Sequence, residues 1–220
     1  MTLNTNMLTD IPLFHGITED ELVRLDTILA PRLRQAHSGE FLSYPEDILE
    51  EIGIVLSGKV YMVSEDFWGN QNIIAEFAEN SLFGEAHSIT LDPMFFSLVA
   101  VEPSVLLYLN TGKILSVREH SDSGIQKLYH NLMTIIIRKK LNYMKKADLL
   151  SRRSLREKIS AFLSEEYQKS GTSSFRIPYN RQQLADYLSV DRSALSKELS
   201  KMKKEGIIEY NHNWFQLKSL

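Results

Sequence analysis

The chain has 220 residues, 43% hydrophobic and 24% charged, the profile of an ordinary globular protein with room for one large domain or two small ones. It has no cysteine, which excludes disulfides, iron–sulfur clusters and thiolate zinc sites. No run of 18 apolar residues is present to span a membrane, and Met1–Asp10 lacks the basic start and apolar stretch of a signal peptide, so a cytoplasmic protein is expected.

The net charge of −3 hides an asymmetry. Residues 1–150 carry 12 Lys/Arg against 20 Asp/Glu, and residues 151–220 carry 13 against 8. An acidic sensor joined to a basic phosphate-binding module shows this pattern, and chance clustering on solvated faces is the plainer alternative.

In chain order, Thr18 followed by Glu21 forms a capping box ahead of Leu22, Leu25, Ile28 and Leu29, which predicts a short amphipathic helix. From Arg32 to Leu109 short apolar runs take over. Residues 41–44, 52–56, 60–63, 73–77, 97–101 and 105–109 read as strands, with turns at Ser38-Gly39, Ser57-Gly58, Gly69-Asn70 and Glu102-Pro103. Strands this short and this regularly spaced predict an all-β sandwich or barrel. Residues 123–150 read as one helix of about 40 Å at 1.5 Å per residue. Its stripe runs through Ile125, Leu128, Leu132 and Ile135, then Ile136, Tyr143, Ala147 and Leu150. Such a stripe fits a coiled coil with a partner chain, or a helix packed on its own β domain. The length favours the partner. The last 70 residues mix a helix over 155–167, a strand at Phe175, two short helices, and a hairpin turning at Asn211–Asn213.

The segment 181–202 carries the strongest chemical signal. Leu184, Ala185 and Leu188 make the buried face of a first helix, Val190 fills the turn, and Asp191 is placed to cap a second helix. There Leu195, Leu199 and Met202 face inward, leaving Arg192, Ser193, Ser196 and Lys197 outside near the N-terminal end, the end that reaches base edges in the major groove. Arginine can bond guanine bidentately, and serine and lysine can take bases or phosphates. Together with Arg181, Gln182, Asp191 and Lys201, these residues form the expected DNA-binding set. Ser189 stands where many such turns have glycine, so either a serine takes a tight conformation or the turn follows a slightly different path. A basic two-helix hairpin for protein contacts is the alternative.

In order and spacing these segments resemble the Crp/Fnr superfamily of transcription regulators over nearly the whole chain. The marks are Ser38-Gly39-Glu40-Phe41-Leu42, Ile54–Gly58, Ser81–Glu85, Glu102-Pro103 before 105–109, and the recognition-helix segment Asp191–Leu199. The resemblance implies an α+β protein: a double-stranded, jelly-roll-like β-roll sensor over 1–110, a dimerising helix and hinge over 111–150, and a winged helix-turn-helix over 151–220. It also implies a homodimer on a palindromic promoter site under effector control, with RNA polymerase as a partner if it activates.

Gly84 and Glu85 stand where cyclic-nucleotide-binding members contact ribose and phosphate. Those members then use an arginine–serine pair about ten residues on. Here that stretch is Asp92–Ser97 and holds no arginine, so a buried phosphate would go unpaired and cyclic AMP is not the expected effector. The pocket wall expected from the resemblance is Phe83, Gly84, Glu85, His87, Phe95, Phe96 and Ser97, joined by Tyr143 and Met144 from the long helix. It would suit a small apolar or aromatic ligand; alternatively Phe95 and Phe96 simply fill the roll. No cofactor is expected: His87 alone does not make a haem site. No HExxH, GxSxG, phosphate-loop or GxGxxG motif is present, so no enzyme is expected. A regulatory module acting on a protein partner is the competing function.

Overall fold

A computed structural model describes residues 8, 10–65, 68, 71–116 and 122–218, and the turn expected at Gly69-Asn70 lies outside them. The chain forms two compact units, Met1–Arg138 and Lys139–Leu220.

In the first unit a 3-10 turn at Pro12–Phe14 precedes helix α1 (Glu19–Leu29). Thr18 and Glu21 close the expected capping box, and Leu22, Leu25 and Leu29 turn inward. Among the described residues eight strands follow: β1 (Arg32–Ala36), β2 (Phe41–Ser43), β3 (Glu51–Ser57), β4 (Val60–Glu65), β5 (Gln71–Phe77), β6 (Leu82–Phe83), β7 (Ser97–Ala100) and β8 (Ser104–Asn110). They form two antiparallel four-stranded sheets, ordered β1-β8-β3-β6 and β2-β7-β4-β5. Helix α2 (Glu85–Thr90) interrupts them and α3 (Thr111–Leu115) follows.

Period-two alternation divides β3 and β8 between two cores. Ile52, Ile54, Leu107 and Leu109 join α1, while Val55, Leu106 and Tyr108 face the interior of the roll. This is why both strands read as continuous apolar runs. Strand β1 was not expected: Arg32 and Arg34 interrupt it, and its pairing with β8 makes it a strand. Glu51, one residue ahead of the expected strand 52–56, begins β3 and pairs with Arg32.

The long helix α4 (Ser123–Ser151) begins in this unit. Ile125, Leu128 and Leu132 are fully buried in the same core as α1, so the first half of the expected coiled-coil stripe packs on the chain's own β domain. In the second half of α4 Tyr143 of the stripe is exposed, as are Ile137, Leu141 and Met144 outside it.

A carboxylate ties α4 to α1. Glu21, only 6% exposed, accepts from Lys127 Nζ at 2.7 Å, Ser123 Oγ at 2.6 Å and Thr18 N at 2.8 Å. The Lys127 bond, then those from Ser123 and Thr18, hold its pKa down from 4.5 to about 2. A folded-state pKa below the unfolded one means stability present above about pH 4.5 and lost as the pH falls toward about 2. Wild type is therefore expected to lose more stability than Glu21→Gln over that window. Thermal unfolding at a series of pH values measures this, and parallel losses would refute it.

The second unit holds the end of α4, α5 (Leu155–Ser170), β9 (Ser174–Arg176), α6 (Arg181–Leu188), α7 (Arg192–Lys204), β10 (Ile208–Asn211) and β11 (Trp214–Leu217). The three strands form one antiparallel sheet ordered β10-β11-β9. Leu149, Phe162, Leu184, Leu188, Leu195, Leu199 and Phe215 build its core.

Candidate nucleic-acid interface and effector site

Helix α6 starts on a reciprocal cap: Asn180 Oδ1 accepts from Gln183 N at 2.9 Å, and Gln183 Oε1 accepts from Asn180 N at 2.8 Å. It ends at Ser189 with φ +52°, so of the two expected outcomes the serine takes the tight, left-handed conformation. Ser189 N and Val190 N donate to Asp186 O and Ala185 O, at 3.0 Å each, which fixes the turn. Asp191 then starts α7. Its Oδ1 accepts from Ser193 N at 2.8 Å, Ser193 Oγ at 2.5 Å and Ala194 N at 2.9 Å, and these bonds hold its pKa low. Asp191, grouped with the DNA contacts on sequence, is occupied as a helix cap.

With Leu195, Leu199 and Met202 buried, Arg192, Ser193, Lys197 and Lys201 are exposed on the opposite face, and Ser196 is half-buried beside them. Several other cations of the unit are paired: Lys203 with Glu209 at 2.8 Å, Lys218 with the same carboxylate at 3.2 Å, and Arg156 with Glu205 and Glu198. Arg192, Lys197, Lys201 and Lys204 form no ion pair with any described residue. The outer face of α7 thus presents positive charge without carboxylate partners among the described residues, as phosphate attraction needs.

Gln182 is exposed and donates to Asp186 Oδ1 at 2.8 Å. Arg181 is engaged elsewhere. Its guanidinium lies 5.0 Å from the Tyr210 ring centre and 5.9 Å from that of Phe215, and it donates to His212 O at 3.5 Å. Burial lowers its pKa. It ties the start of α6 to the β10–β11 hairpin, a role invisible in sequence because the sequence does not show the hairpin folding back beside α6. The two elements border a cleft of about 590 Å³ lined by Asn180, Gln183, Tyr210 and Asn213.

In the β-roll the expected wall residues separate. Phe83 is 2% exposed and belongs to the core, its ring 5.9 Å from Phe77 and 6.0 Å from Tyr108. Gly84, at φ +74°, leads into α2, which carries Glu85 and His87. His87 meets Phe95 edge-on at 5.6 Å, and Phe95 meets Phe96 at 6.5 Å; Ser97 begins β7 beside them. Phe95 does not fill the roll, being 70% exposed, while Met94 is fully buried in its core. Tyr143 and Met144 are exposed on α4. Arg32 and Arg34 on β1 lie near Tyr108 but are held by Glu51 and Glu40. Ser43 Oγ, opposite Leu98, is buried without a hydrogen-bond partner among the described residues.

A β-roll, a long helix and a winged helix-turn-helix with an open cationic recognition face define a DNA-binding regulator of transcription. Residues 33–121 match the family model of the cyclic nucleotide-binding domain, and residues 157–220 that of the Crp-like helix-turn-helix domain. The chain is similar to the cyclic AMP receptor protein of Thermus thermophilus, 26% identical over 198 residues, covering 90% of this chain and 88% of that one. It is equally similar to the regulatory protein HlyX of Actinobacillus pleuropneumoniae, 26% identical over 199 residues and covering 87% and 80%. The crystal structure of the Thermus thermophilus catabolite activator protein shares the fold, with a TM-score of 0.55 at 24% identity and coverage of 94% and 93%. The chain belongs to the Crp/Fnr superfamily of transcription regulators. No helix among the described residues is long and apolar enough to cross a membrane.

Proposed function

We propose that this protein is a cytoplasmic one-component regulator that binds a palindromic promoter site as a homodimer, under control of a small molecule held by the β-roll. By role the chain divides into a sensor over 1–110, a dimerising helix and hinge over 111–150, and a DNA-binding part over 151–220. The observation that carries the reading is the recognition face of α7, with Arg192, Ser193, Lys197 and Lys201 exposed and its three cations free of carboxylate partners among the described residues. Arg192 and Ser193 read base edges, and Lys197 and Lys201 hold phosphates. Gln182 adds a contact from α6.

Dimerisation is supported by Ile137, Leu141 and Met144, which stand at i, i+4 and i+7 on α4 and are each more than half exposed. Two recognition helices about 34 Å apart would match half-sites one helical turn apart. RNA polymerase is a partner where the site is one for activation, and no catalytic step is assigned.

The effector is not cyclic AMP. Asp92–Ser97 holds no arginine, and the two on β1 are already paired. Gly84, Glu85, His87, Phe95, Phe96 and Ser97 suit a small apolar or partly aromatic molecule. Selection from a random DNA pool, with and without cell extract, tests the proposal. A two-fold symmetric site whose recovery depends on extract is expected, and no enrichment under either condition would overturn it.

A further inference from the structure

The last carbonyls of a helix lack partners within it. At the end of α6 two of them are taken by lysines from other helices. Lys146 Nζ, from α4, donates to Tyr187 O, and Lys158 Nζ, from α5, donates to Leu188 O at 3.4 Å. Lys146 Nζ also sits 3.5 Å from the centre of the Tyr187 ring. That ring is itself fixed, stacked on Tyr179 at 4.9 Å and leaning on Phe162 at 5.6 Å. An ammonium is strongly hydrated, and leaving water costs free energy unless its donors are used. Burial, helped by Lys158, lowers the Lys146 pKa, so this group is drawn out of water to hold its place.

What Lys146 holds is the segment that aims the recognition helix. Tyr187 is two residues before Ser189, whose left-handed backbone turns the chain from α6 into α7. The helix bearing Lys146 also carries Ile125, Leu128 and Leu132 into the core of the first unit, without a break between Ser123 and Ser151.

We propose that Lys146 is a positioning residue for DNA recognition: it clamps the C-terminal end of α6 to the helix that runs on from the sensor unit, so that the turn presents α7 in the one orientation two copies need to engage paired half-sites. The proposal rests on the dimer and operator reading given above.

The test uses full-length Lys146→Met and Lys146→Arg, the first keeping the apolar stem and the second a cationic donor. In Lys146→Met, amide exchange at Ser189 and Val190 is expected to speed up about tenfold, with the amides of Leu195–Met202 unchanged. Affinity for a duplex bearing both half-sites of the selected operator should fall about tenfold, and affinity for a duplex bearing one half-site should stay within about twofold. Lys146→Arg should restore both exchange and affinity. Unchanged exchange in Lys146→Met overturns the clamp. Equal loss on one-site and two-site duplexes overturns positioning, because it reports a damaged helix-turn-helix. Failure to select any symmetric site overturns the operator reading instead, and the exchange measurement then decides the clamp by itself.

Discussion

Replacing Arg192 and Lys197 together with alanine is expected to weaken binding to the selected operator by at least about a hundredfold while leaving the melting temperature unchanged. Both side chains are exposed on α7 and neither forms an ion pair with a described residue, so their removal breaks no contact within the fold. Surface changes of that kind usually shift stability by less than about 0.5 kcal/mol. A bidentate arginine–guanine contact is worth about 1–3 kcal/mol, and a dimer would lose it twice. The loss of Lys197 should lower the salt dependence of binding by about one unit per copy. Anisotropy titrations at several salt concentrations separate the two terms. Retention of wild-type affinity would remove α7 from the interface.

Gly53→Ala is expected to destabilise the first unit by about 1–3 kcal/mol, within the range for overpacked cores. A Cβ built on Gly53 would lie 2.0, 2.2 and 2.6 Å from three atoms of the Phe83 ring, far inside van der Waals contact. The ring has nowhere to retreat, because Phe77 and Tyr108 flank it. The entropic benefit of replacing glycine in the unfolded chain, about 0.4–1 kcal/mol, is too small to offset that clash. Calorimetry should show a lowered first-unit transition and an unaltered second-unit one. An unchanged transition would mean that the ring moves freely, as a residue lining an open pocket would and a core residue would not.

Much of the fold was legible because local chemistry and tertiary packing agree. Thr18–Glu21 and Asp191 mark helix starts through their own side chains, and Leu184, Ala185, Leu188, Leu195, Leu199 and Met202 declare their buried faces by spacing alone. Where the two disagree, the sequence misleads. Strand β1 exists because β8 offers it hydrogen bonds, which the charged run Arg32–Gln35 does not advertise. The short helices α2 and α3 hold too few residues to show a period.

The candidate sites show the same divide. The exposed cations of α7 follow from helical phase, and so were legible. Which aromatic of the roll is core depends on cross-sheet packing: Phe83 is enclosed, Phe95 is not, and the two look alike as residues. Nor does a stripe name its partner. Ile125, Leu128 and Leu132 have the spacing of a dimer seam and are consumed by the chain's own core. Arg181 and Lys146 act on hairpin and helix-end carbonyls remote in sequence, and no local pattern announces that.

The boundary between the compact units falls after Arg138, inside a helix, whereas the Crp-like helix-turn-helix match begins at residue 157. Leu149 is 4% exposed in the second unit's core, upstream of the break at Arg152–Ser154. Exchanging the DNA-reading module between relatives at that break, the natural splice point by inspection, would therefore leave Leu149, a piece of the module's own interior, behind. A graft that respects the physical seam takes the last turns of α4 along with the recognition domain, so shuffling in this architecture is constrained to crossovers within helical sequence rather than at the loop.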